Sequence, residues 1–61
     1  STPLTPEQIR AEQIIALKWT IRRKLGTMRG AVLAEDYEEL LRLDISLRKL
    51  IQAINELKAS H

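Results

Sequence analysis

Residues 40–57 read LLRLDISLRKLIQAINEL, and Leu40, Leu43, Leu47, Leu50, Ile54 and Leu57 recur in them at spacings of 3, 4, 3, 4 and 3. That is the seam of a helix that buries one continuous stripe against another helix. Projection at roughly 100° per residue adds Ile51 to this broad face and leaves Leu41 and Ile45 outside it. Asp44–Arg48 and Glu38–Arg42 stand four apart with the acid on the N-terminal side, the favourable order for a helical pair. The preceding Ala34-Glu35-Asp36-Tyr37-Glu38-Glu39 sets four acids at the start, where the helix dipole favours them. Leu33 and Asp36 compete as the cap. The helix should fray near Ala59-Ser60-His61, so it is expected over about residues 34–58.

A partner helix lies upstream. Thr5-Pro6-Glu7-Gln8 has the form of a capping box with proline in the first turn. Ile14, Leu17, Ile21, Leu25 and Met28 then make a helical stripe. Gly26 and Gly30 each cost about 1 kcal/mol relative to alanine inside a helix. Together they predict that the first helix ends between residues 25 and 30. The expected layout is a tail over 1–5, helix 1 over about 6–28, a turn over about 29–33, and helix 2.

Two such helices and a short loop make an antiparallel hairpin, all-α and a single domain. Charge favours the same topology. Residues 7–30 sum to +4 and residues 31–61 to −2. Arg22, Arg23 and Lys24 are expected beside Glu35, Asp36, Glu38 and Glu39.

The chain has 61 residues, no cysteine, and two aromatic side chains, Trp19 and Tyr37. Neither a disulfide nor a thiolate metal site can staple it, and the core must be aliphatic. A chain of about 60 residues buries only about 60% of its unfolded surface, so regular helix packing or oligomerisation has to supply stability.

Ile15, Trp19, Leu41 and Ile45 fall off both stripes. With a turn near residue 31, Trp19 would be level with Leu43 and Ile15 with Leu47, so all four would lie near mid-hairpin. These four are therefore the predicted self-association or partner surface, and the simplest closed form is a homodimer, a four-helix bundle.

Catalysis is not expected. His61 is the lone imidazole, at the very end, and Ser46 and Thr20 have no base at hand. The acids of 35–39 lack the looped geometry of a calcium site, and the Glu-x-x-His pairs of bundle di-metal sites are missing. No catalytic residue, metal or cofactor is predicted. No apolar run reaches the roughly 18 residues that span a bilayer, and residues 1–6 carry no signal-peptide pattern. A cytoplasmic location is the expectation.

The sequence thus predicts a non-enzymatic helical interaction module, an adaptor, regulator or assembly piece acting as a homo-oligomer, with a hetero-protein partner as a further possibility and no membrane partner. The competing expectation is nucleic acid, held by Lys18, Arg22 and Arg29 as a basic stripe of helix 1, with Arg10, Arg23 and Lys24 around it.

Overall fold

The computed structural model describes residues 2–60. His61, the one imidazole, lies outside the described residues. Two helices account for the fold: α1, Pro6–Leu33, and α2, Tyr37–Ala59, packed against each other.

The start of α1 is as the sequence predicts. The Thr5 hydroxyl accepts from the Gln8 backbone N–H at 3.2 Å, and the Gln8 side chain accepts from the Thr5 N–H at 2.8 Å. Two of the helix's orphan donors are thereby satisfied.

The end of α1 is not. The helix passes through both Gly26 and Gly30 and stops at Leu33, not near residue 28. Nothing lies within 4 Å of where a Cβ would stand on either glycine, so neither serves a close approach. A propensity cost of about 1 kcal/mol apiece is offset by what the continuation achieves. It completes the backbone hydrogen bonds of one more turn and buries Ala31 to 7% exposure.

The turn is correspondingly later and tighter than predicted. Ala34, Glu35 and Asp36 lie outside both helices. Asp36 N–H donates to the Ala31 carbonyl at 2.9 Å and Glu35 N–H to Val32 at 3.1 Å, the paired bonds of a Schellman end. Glu35 takes the left-handed conformation, φ 55°, that this motif requires and that glycine usually supplies. Asp36 resolves the competition for the cap, its carboxylate accepting from Glu39 N–H at 3.2 Å. One residue therefore closes α1 and opens α2. The helix predicted from residue 34 begins at Tyr37, with Glu38 and Glu39 as its first-turn acids.

This turn sets the register. Read in opposite directions from it, the heptad stripes place Ile14 level with Leu57, Leu17 with Ile54, Ile21 with Leu50, Met28 with Leu43 and Ala31 with Leu40. The burial pattern agrees. Ala31, Leu43 and Ile54 are the buried residues, and the other stripe members are half-buried. Two α1 positions differ from the predicted stripe. Leu25 stands on the flank, 48% exposed, and half-buried Lys24 takes the seam position level with Leu47. Lysine is tolerated there because its aliphatic stem can lie along leucine while the ammonium reaches water. Ile51, assigned to the broad face of α2, is likewise exposed on the flank.

The expected charge pairing across the hairpin is absent. Among the described residues the ion pairs are Arg42–Glu39 at 2.6 Å and Arg48–Asp44 at 2.9 Å, both within α2. The second was predicted; Arg42 chose Glu39 over Glu38. With the turn at 34–36, the level of Arg22, Arg23 and Lys24 is that of residues 47–49, two turns or more from the acidic start of α2.

The product is a slab with principal extents of 49 × 23 × 10 Å, one helix thick. Its radius of gyration is 14.9 Å, where a compact globule of this length has about 10.5 Å.

Candidate interaction surface

A slab one helix thick has two broad faces, and helical phase assigns residues to them. Between antiparallel helices, positions one flank clockwise of each seam come together on the same face. On the first face α1 sets Ile15, Lys18, Arg22, Leu25, Arg29 and Val32. From α2 come Tyr37, Leu41, Asp44, Arg48 and Ile51. The opposite face receives Gln13, Thr20, Thr27 and Gly30 from α1, with Glu39, Ser46, Lys49 and Ala53 from α2. Most of the exposed apolar bulk is thus on one side, with Ile9 the exception on the other and Leu33 pointing outward from the edge of α1.

The solvent exposures bear this out. Ile15, Leu25, Val32, Tyr37, Leu41 and Ile51 are all exposed large hydrophobics, and all six belong to the first face. Near the turn, Met28, Tyr37, Leu40, Leu41 and Asp44 line a shallow open groove on that side. Across the slab, Thr20 and Thr27 turn their hydroxyls back onto the carbonyls of Ala16 and Arg23, at 3.0 and 3.2 Å. Those donors satisfy themselves locally and need nothing from outside.

The four residues predicted as one surface are separated by this geometry. Ile15 and Leu41 lie on the apolar face. Trp19 and Ile45 point away from the seam, on the outer edges of α1 and α2 respectively. All four are exposed, Leu41 most at 66%. The later turn also moves the α1 pair: Trp19 is level with Gln52, not Leu43, and Ile15 with Glu56, not Leu47. Sequence reading missed Leu25, Val32, Tyr37 and Ile51. A full heptad assignment of both helices, carried through the glycines of α1, would have found them, because each follows a seam position by four residues or precedes it by three.

Lys18, Arg22 and Arg29 all fall on the α1 flank of the apolar face. No carboxylate occurs anywhere in residues 14–33. The Arg22 guanidinium sits over the Trp19 ring, 5.1 Å from its centroid, a cation–π contact that folds it toward the outer edge. On the α2 flank Arg48 is neutralised by Asp44. Across the slab, the hydrogen bonds that Arg42 donates to the Glu39 carboxylate, and then that carboxylate's charge, hold the Arg42 proton more firmly than in free arginine.

Among the described residues, no helix is long and apolar enough to cross a membrane. Set against protein-family models, curated proteins and solved structures, the chain matches none of them.

Proposed function

We propose that the chain is a non-enzymatic helical protein–protein interaction module, an adaptor or assembly piece that completes its core by taking up further helices on its apolar face. One observation carries this reading. Among the described residues three are buried to about a tenth exposure or less, none fully sealed, and the surface is 5025 Å². A compact monomer of this 7.0 kDa mass would expose about 4,000 Å². The surplus of about 1,000 Å² is comparable to the roughly 800 Å² that each partner contributes to a stable protein interface. Two sources of further helices meet this need: a second copy, which closes a four-helix bundle, or a helix of another protein.

Association coupled to stability is the test. Thermal melts followed by circular dichroism, run beside sedimentation, should show stability rising with the concentration of the chain or of an added helical partner. A fully folded monomer with a concentration-independent melt, unresponsive to any added helical protein, would remove this reading.

Nucleic acid is the second reading, favoured by Lys18, Arg22 and Arg29 lying on one flank. Against it, three cations per chain are few for phosphate binding, and they border exposed leucine, valine and tyrosine that a polyanion would leave wet.

A further inference from the structure

Whose helix covers the apolar face is a separate matter from whether one does, and this step rests on the module reading. We infer that the occupant is an amphipathic helix from a different chain, with an acidic flank laid along Lys18, Arg22 and Arg29. Its apolar stripe seats against Leu25, Val32, Tyr37 and Leu41, with Ile15 and Ile51 continuing the bed toward the open end of the hairpin.

Charge complementarity argues this. The α1 flank of the face presents three cations in a row about 16 Å long, three helical turns, and no carboxylate to balance them. The α2 flank is close to neutral in its middle, where Asp44 pairs with Arg48. A second copy stacked face to face must obey a two-fold axis. If that axis runs across the helices, the cation row meets itself. If it runs along them, the row meets the partner's Asp44–Arg48 pair, one acid already held by one base. The first arrangement juxtaposes like charge while desolvating it, and the second offers the row no net counter-charge, so neither second copy satisfies the three cations. An acid-flanked helix removes the repulsion and covers the same apolar area. Its carboxylates would stand three, four or seven apart, matching the spacing of Lys18, Arg22 and Arg29.

The probes are two synthetic helical peptides of about four turns with the same leucine stripe, one flanked by glutamates and one by lysines. Binding is read by fluorescence anisotropy of the labelled peptides on the full chain. The glutamate peptide should bind about tenfold more tightly at low salt, with the gap narrowing as salt rises. The triple variant K18E/R22E/R29E should reverse the preference. The variant R23E/K49E, on other sides of the slab, should keep it. Both variants are checked for unchanged helicity by circular dichroism. Equal binding of the two peptides, or a preference that the triple variant leaves in place, overturns the inference. So does a chain that binds neither peptide but sediments as a dimer, which makes the occupant a second copy and leaves the module reading intact. Duplex DNA or RNA binding more tightly than the glutamate peptide, and losing affinity in the triple variant, overturns it in favour of nucleic acid. A monomer that binds none of these overturns both readings.

Discussion

The two broad faces of the hairpin share one backbone, one seam and one pair of helices, yet they are built for different surroundings. One carries Leu25, Val32, Tyr37, Leu41 and Ile51, all exposed. The other carries Thr20, Thr27, Ser46 and Ala53, small or polar, with the threonine hydroxyls already bonded to their own helix. Scattered apolar residues are ordinary on any surface. Segregation to one face is not, because a chain indifferent to its surroundings would spread them over both. The second face has the composition of an ordinary water-facing surface, and the first that of an interface core with a basic rim.

The strongest way to break the comparison is to destroy what both faces depend on. Leu43→Ala or Ile54→Ala should each cost about 2 to 5 kcal/mol, most of the stability of so small a chain. Urea titration at fixed protein concentration reads the loss. Variants that melt like the parent would mean that the seam, and hence both faces, are wrongly assigned.

Next in size is a test of the faces themselves. Leu25→Gln with Leu41→Gln should remove association, since a fully buried leucine contributes about 1.5 to 3 kcal/mol. At dilutions where the chain is monomeric the melt should shift by no more than about 0.5 kcal/mol. Thr20→Val with Thr27→Val, on the other side, should leave association as it was. Sedimentation separates the two outcomes. A threonine pair as disruptive as the leucine pair would make the faces equivalent.

Smaller gains should come from backbone positions that the packing does not constrain. Gly26→Ala and Gly30→Ala meet open space and should each add about 1 kcal/mol. Glu35→Gly should add about 1 kcal/mol by relieving a left-handed non-glycine residue at a helix end that disfavours negative charge. Thermal melts of the single variants check all three. A loss at either glycine would show that something approaches it that the hairpin alone does not contain.

The smallest effect is expected from reversing Arg22 and Arg23 to Glu. Neither is within ion-pair distance of a carboxylate among the described residues. The melt of the monomer should therefore move by less than about 0.5 kcal/mol. A large destabilisation at low salt would restore the charge pairing across the hairpin that the structure does not contain.

Much of this was legible before any coordinates. The capping box at Thr5 and Gln8, the seam from Leu40 to Leu57 and the Asp44–Arg48 pair are local patterns, settled within a turn or two of helix. The candidate surface was legible only in part. Ile15 and Leu41 emerged as off-stripe residues, but so did Trp19 and Ile45, which look outward from opposite edges. Off-stripe status says that a residue misses the seam, without saying on which side. The misplaced Leu25 has the same origin: without a settled phase through the glycines, it was exchangeable with Lys24.

Periodicity by itself determined that there are two helices, that they pair along an aliphatic seam and that the seam cannot hold every apolar residue. Those conclusions follow from a repeat of 3.6 residues per turn and from burial, both large effects summed over many positions. Where α1 ends was decided by tertiary structure. Two glycine penalties of about 1 kcal/mol each stood against one more turn of hydrogen bonds, the burial of Ala31 and a Schellman closure through a strained Glu35. Differences that small cannot be weighed one residue at a time. Yet moving the turn by a few residues slides α1 along α2, changes which residues are level, and brings Leu25, Val32, Tyr37 and Leu41 together as one face.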